Sequence, residues 1–177
     1  MELIIKQETP EERPRVFEII EHAFAQAEYS DKNEHHLVER LRTSDSFIPE
    51  LSLVGSLNGH AIAHILFTKL VLRNDSDQRV GIALAPVSVV PEHQGKGFGS
   101  QLIRKGHEIA ATLNYPFSVV IGHKDYYPRF GYQQLDQEKI KLPFEVPAEF
   151  CFIRAFNDEI RIEDLKGSLI YDVAFAE

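Results

Sequence analysis

The chain has 177 residues, 44% hydrophobic and 26% charged, with a formal net charge of −8. That size suits one domain with a full core, and the acidity argues against a nucleic-acid partner, which needs a basic face, while fitting a cationic, amine-bearing substrate. A single cysteine, Cys151, rules out an internal disulfide and suits a reducing compartment. The start, MELIIKQETPEER, lacks the pattern of a secretory leader, and no apolar run nears the roughly 20 residues of a membrane span, so the expected setting is the cytoplasm, without a membrane partner.

Leu3–Lys6 reads as a short strand. Thr9-Pro10-Glu11-Glu12 then offers an N-cap, a proline at the first helical position and a carboxylate at the third. The helix it opens carries Val16, Ile19, Ile20, Ala23, Phe24 and Ala27 on one stripe. Tyr29–Asn33 is a polar loop, and a second helix follows with Leu37, Val38 and Leu41. The apolar runs Leu51–Leu57 and Ala61–Leu72 meet at Asn58-Gly59, a type I′ hairpin signal. A polar turn, Arg73–Gln78, leads into a strand from about Val80 to Val90, which Pro91 ends.

Three glycines at alternate positions follow, Gly95, Gly97 and Gly99, and then a helix over 100–113 with Leu102, Ile103, Gly106, Ala110 and Leu113 on one face. Asn114-Tyr115-Pro116 stops it, and 117–121 returns as a strand, so the strand–helix–strand order predicts a right-handed crossover with parallel pairing. In the tail, Phe150, Phe152, Arg154 and Phe156 alternate as on a strand, with Cys151 expected in its core, and Leu169–Phe175 reads as a last strand. The expected fold class is α/β: one domain over 1–177, with a mixed, mostly antiparallel sheet flanked by helices. Residues 134–177 form a C-terminal extension of that domain.

Glycines let backbone N–H groups approach an anion closely, and a helix start adds free donors and the positive dipole end. The loop is therefore a phosphate cradle. Its spacing fails the G-x-x-x-x-G-K-[ST] loop, because Lys96 lies between glycines, and fails G-x-G-x-x-G, because Ser100 or Leu102 stands where glycine is needed. What remains is Gln94-Gly95-Lys96-Gly97-Phe98-Gly99, preceded by Val89-Val90-Pro91-Glu92. That string resembles the acyl-CoA pyrophosphate loop of the GNAT superfamily of N-acetyltransferases, specifically over residues 80–132 and in element order over 1–79. The resemblance implies acetyl-CoA as co-substrate, with the loop from Gln94 through Ser100 around its pyrophosphate. It also implies that the main chain of Val89 and Val90 pairs with the pantetheine arm. Lys96 and Arg104 then either add charge near the phosphates or are ordinary surface residues.

Tyr127 stands four residues before Gly131, and Tyr132 replaces the phenylalanine of the Y-x-x-x-G-F ending common in that superfamily. The resemblance makes Tyr127 the general acid beside the thioester sulfur. Protonating a thiolate of pKa ~8.5 from a phenol of pKa ~10 is uphill by roughly 2 kcal/mol, within reach of a tuned site. The plainer account of Tyr126 and Tyr127 is a buried aromatic pair closing a short helix. An ammonium of pKa ~10.4 must lose a proton before it attacks. His123 is the residue type best matched to that step at neutral pH, with Asp125 and Glu34 as the other candidates; water is a further route.

No metal is expected. His35-His36 diverge on a helix, and His60 with His64 lacks a third ligand. Ser88 has no nucleophile-elbow context. The implied activity is transfer of an acetyl group from the CoA thioester to a primary amine in a ternary complex, with the carbonyl oxygen held by a backbone N–H around Val89. The alternatives are a GNAT-like module that binds acyl-CoA without turnover and an interaction protein whose glycine loop is only a turn. Partners are then a small-molecule or peptide amine acceptor and, dimers being common in the superfamily, a second copy of the chain.

Overall fold

The structure, a computed structural model, describes residues 2–176. β1 (Ile4–Gln7) leads through a 3-10 turn at Pro10–Glu12 into α1 (Arg13–Phe24). The Glu12 carboxylate accepts the Thr9 N–H at 2.9 Å, the carboxylate half of the expected capping box. The α-helix starts only at Arg13 and ends at Phe24, short of Ala27. α2 (Glu34–Arg42) precedes a long hairpin of β2 (Phe47–Leu57) and β3 (His60–Arg73). The hairpin turns through Asn58 at φ +48° and Gly59 at φ +81°, the two left-handed positions of a type I′ turn.

β4 (Gln78–Val89), α3 (Phe98–Thr112) and β5 (Phe117–Ile121) follow, then β6 (Gln133–Gln134), β7 (Ile140–Lys141), β8 (Cys151–Ala155) and β9 (Gly167–Ile170). These strands form one sheet in the order β1-β2-β3-β4-β5-β8-β6, with β9 beside β3 and β7 beside β9. The β4–β5 and β7–β9 pairs are parallel and the rest antiparallel. The tail thus joins the same sheet, with Cys151 buried among Val119, Ile153 and Leu169.

Helices cover both faces. α1 and α2 bury Val16, Ile20, Val38 and Leu41 against Val54 and Leu66, while α3 buries Leu102, Ile103 and Ala110 against Leu53, Ile65 and Phe67. Successive residues of β2 and β3 feed opposite cores, so both strands read as unbroken apolar runs. α3 lies so close that a Cβ on Gly106 would stand 2.3 Å from the Phe67 ring.

The last apolar run departs from expectation. Its strand ends at Ile170, because Asp172 accepts the Ser46 hydroxyl and the Ala174 N–H, each at 2.8 Å. The chain turns there into a 3-10 segment, Val173–Ala176, that packs Ala174 beside α2. Phe150 and Phe156 likewise fall outside β8.

The feature that positions a site is a fork. β4 and β5 pair only at Ile82–Ser118 and Ala83–Val119. Beyond that point β4 carries one extra residue between Leu84 and Val87 relative to β3, around Ala85-Pro86. Such a bulge bends its strand, and Pro86 brings no N–H to a ladder. The two parallel strands separate and leave a gap between them.

Candidate functional site

One wall of the fork is the exposed main chain of β4. Val90 donates its N–H to the Ile62 carbonyl at 3.0 Å and accepts the His93 N–H at 2.9 Å, so both of its main-chain groups are engaged. The expectation that Val90 pairs with a ligand is therefore corrected. Antiparallel pairing alternates sides, so if Val90 faces β3, Val89 and Val87 face the fork. The Val89 carbonyl accepts the Gln94 side-chain amide at 2.8 Å. What remains toward the gap is the Val89 N–H and both main-chain groups of Val87.

The glycine loop closes the end of the fork. Gly95 and Gly97 have φ +75° and +84°, a region that costs an L-residue strain. Gly97 caps α3, and the first intrahelical bond runs from the Gln101 N–H to the Gly97 carbonyl at 3.2 Å. The N–H groups of Phe98, Gly99 and Ser100 consequently point out of the helix start. Gly95, Gly97, Gly99, Ser100, Val87 and Val89 face a cleft of about 400 Å³, into which a helix start presents its free N–H groups.

The other expected loop residues divide by role. Phe98 also touches the cleft but is buried, and it anchors the helix start in the core. Gln94 tethers the loop to the end of β4, and Lys96 is exposed and off the cleft wall. His93 and Arg129 lie on the wall too, and nothing in the sequence reading singled them out.

The tyrosines separate. Tyr126 lines the cleft, its hydroxyl 3.1 Å from where a Cβ on Gly99 would stand, which places it at the glycine-loop end. The Arg129 guanidinium lies 4.6 Å over its ring. Tyr127 packs edge-on against Tyr126 and Tyr132. Its ring rests on Gly122, where a Cβ would be 2.2 Å away, at the end of β5 and across the fork from β4. Burial, with Tyr126 alongside, raises the Tyr127 phenol above its ordinary pKa, so the hydroxyl keeps its proton.

His123 is exposed just beyond β5, and its Nδ1 accepts the Asp125 N–H at 3.1 Å. A neutral ring held this way carries its proton on Nε2. Glu34 opens α2 and accepts the Ser30 hydroxyl; its Oε2 is buried with no partner among the described residues.

Two buried polar clusters brace the frame. Arg154 donates to His107 Nδ1 at 2.6 Å and to the Phe130 carbonyl at 2.8 Å. Guanidinium only donates, so His107 carries its proton on Nε2 and donates to the Tyr132 hydroxyl at 2.9 Å, which in turn donates to Ser118 at 2.8 Å. Burial, then the charges of Arg154 and Arg104, lower His107 to a pKa of about 3. Tyr132 therefore replaces phenylalanine because its hydroxyl ties the turn after Tyr127 to α3 and β5.

In the second cluster, Arg42 donates to both carboxylate oxygens of Glu8, Ser52 donates to Glu8 at 3.0 Å, and His64 Nε2 lies 3.0 Å from the Ser52 hydroxyl. Burial, then Arg42, lowers His64 to about 3. His64 is thus a buried neutral residue while His60 is exposed. Among the described residues no three His, Cys, Asp or Glu side chains gather as a metal site, and no helix is long and apolar enough to cross a membrane.

A forked α/β sheet with a glycine loop at the head of its crossover helix defines the fold class of the GCN5-related acetyltransferases. The Acetyltransferase (GNAT) domain family matches residues 5–135, and the chain belongs to that family. An uncharacterized N-acetyltransferase of Escherichia coli, YjhQ, is 38% identical over 117 residues, 66% of this chain and 65% of that relative's length. A GNAT family acetyltransferase from Brucella melitensis, solved in complex with acetyl-CoA, superposes with a TM-score of 0.80 at 27% identity, covering 98% of each chain. Escherichia coli YhbS, solved with CoA, has a TM-score of 0.86 at 19% identity, over 99% of this chain and 92% of its own, and shares the fold.

Proposed function

We propose that the chain is an acetyl-CoA-dependent N-acetyltransferase that passes an acetyl group from the thioester directly to a primary amine in a ternary complex. The observation that carries this is the line of free main-chain groups at Val87 and Val89, leading into the free N–H groups of the glycine loop. It matches a ligand with amides along an extended arm and a pyrophosphate at its end. The family and the Brucella relative's acetyl-CoA support the choice of donor.

The pyrophosphate lies against the amides of residues 97–100, and the pantetheine arm adds to β4 as an extra strand at Val89. The thioester is the far end of the arm. Its carbonyl then reaches the Val87 N–H, one two-residue repeat or about 6.7 Å further from the loop than Val89. That N–H stabilises the oxyanion as the amine nitrogen attacks the carbonyl carbon. The C–S bond breaks, and the thiolate takes a proton from the Tyr127 hydroxyl, a transfer that burial makes steeper by raising the phenol's pKa. Tyr126 sits at the phosphate end and has no part in this step.

The amine loses its own proton before attack. His123 and Asp125 at the open end of β5 pass it to solvent, and Glu34, with a buried oxygen lacking a donor, suits the acceptor's ammonium. The acceptor is a small-molecule or peptide amine, in keeping with the net charge of −8.

Thiol release from acetyl-CoA, measured against a panel of primary amines, tests the reading. The expected outcome is turnover on at least one amine, with Tyr127→Phe lowering kcat by about 10²–10⁴ while the KM for acetyl-CoA moves less than about threefold. Tight acetyl-CoA binding without turnover on any amine would establish the sensing module instead. Unchanged kcat in the variant would remove Tyr127 from the mechanism.

A further inference from the structure

Seven arginines of this chain divide by their partners. Arg15, Arg42, Arg79 and Arg161 each pair with a carboxylate. Arg104, Arg129 and Arg154 make no ion pair among the described residues and instead lie over aromatic rings. Arg104 is 4.9 Å from the centre of Phe130, Arg129 is 4.6 Å from that of Tyr126, and Arg154 is 5.6 Å from that of Phe156. All three border one cleft of about 460 Å³ on the flank of α3. Glu108 also borders it, but its carboxylate is held by Lys105 at 3.2 Å.

Three like charges around one concavity repel one another, and the carboxylate that borders it, Glu108, is already held by Lys105, although acidic residues outnumber basic ones, 27 to 19. Arg154 is positioned by His107 and the Phe130 carbonyl. Arg129 donates its Nε–H to the Tyr126 carbonyl at 3.3 Å, which leaves its terminal N–H groups, like those of Arg104, to turn toward a ligand. A guanidinium stacked on a ring still offers its N–H edge, the geometry that binds a phosphate in bidentate fashion.

The cleft is continuous with the cradle, because Arg129 borders both. Arg104 lies six residues along α3 from Phe98, about 9 Å along the axis, which is the scale of one nucleotide. We infer that this arginine cleft holds the 3′-phosphate of the CoA nucleotide, so that the protein selects free CoA thioesters over donors that carry pantetheine without it. The inference rests on the acetyl-CoA reading of the cradle and adds to it a determinant of donor choice.

Isothermal titration of the wild type and of Arg104→Gln, with acetyl-CoA and with 3′-dephospho-acetyl-CoA, tests it. Arg104 borders the arginine cleft and not the cradle. The wild type is expected to bind acetyl-CoA about 10- to 100-fold more tightly than the dephospho form, as for one or two charge-assisted hydrogen bonds. Arg104→Gln is expected to lose about tenfold of that preference while its affinity for the dephospho form stays within about twofold. Equal affinity of the wild type for the two ligands would overturn the inference and leave the cradle standing. Full preference in the variant would overturn it too, as would equally efficient turnover of an acetylated phosphopantetheine carrier protein. Binding of neither ligand would instead bring down the acetyl-CoA reading itself.

Discussion

The cradle takes its donors from main-chain N–H groups within residues 87–100, in an open cleft. The His107 cluster takes one side chain each from α3, β5, β8 and the turn before β6, and buries them together. A site made of backbone tolerates many side chains but depends on a few torsions. A cluster made of side chains tolerates no lost partner, because each removal leaves a buried polar group without a hydrogen bond. Substitutions in the clusters should therefore move stability, and those in the cradle should move ligand affinity.

The largest effect belongs to the Glu8 cluster. Arg42→Met leaves the Glu8 carboxylate, 2% exposed, without its charge partner, and a broken buried pair costs about 3–5 kcal/mol. Denaturant unfolding checks this, and the acetyl-CoA affinity of the folded variant should be unchanged. An equal loss of affinity would show that the two regions are not independent.

Next comes acid. His64 and His107 titrate near 6.5 when unfolded and near 3 when folded. Between those values the unfolded chain binds more protons, so stability is lost as pH falls from about 6.5 toward 3. From pH 7.5 to 5.5 each histidine contributes a loss on the order of 1 kcal/mol, together about 2–3. The corresponding fall in Tm is about 5–10 °C. His107→Asn should remove about half of that dependence in a thermal scan.

Tyr132→Phe strands the His107 N–H and the Ser118 hydroxyl and should cost about 1–3 kcal/mol of unfolding free energy. Gln94→Ala sharpens the contrast from the other side. It frees the loop from the Val89 carbonyl, so titration calorimetry should show several-fold weaker acetyl-CoA binding with unfolding free energy changed by less than about 0.5 kcal/mol.

The same contrast explains what the sequence made legible. Asn58-Gly59, Gly95 and Gly97 act through their own torsions, so the hairpin and the course of the glycine loop could be read locally. The parallel β4–β5 pair followed from element order. The fork did not, although Pro86 inside an apolar run was its visible sign. Val90 was misassigned because which side a strand residue faces depends on register with β3, which only the fold fixes. Leu169–Phe175 looked like one strand because the turn at Asp172 depends on Ser46, far away in the chain.

Polar residues at core positions, Ser118, His107 and Tyr132, were the sequence's hint of a buried network, and their partners were not readable from spacing. Arg129 went unnoticed because its role comes from Tyr126 and the cleft rather than from any motif.

We propose that the glycine loop is the CoA site. Thermal unfolding of the wild type and of Gly97→Glu, with and without acetyl-CoA, tests it most directly. No neighbour lies within 4 Å of a Cβ at Gly97, so the substitution acts through the loop's torsion and its charge rather than through the core. At about 100 times Kd the ligand should stabilise the wild type by about 2.7 kcal/mol, a rise of about 5–10 °C in Tm, and leave Gly97→Glu unmoved. A wild type that does not shift at saturating acetyl-CoA, or a variant that shifts equally, would contradict the account.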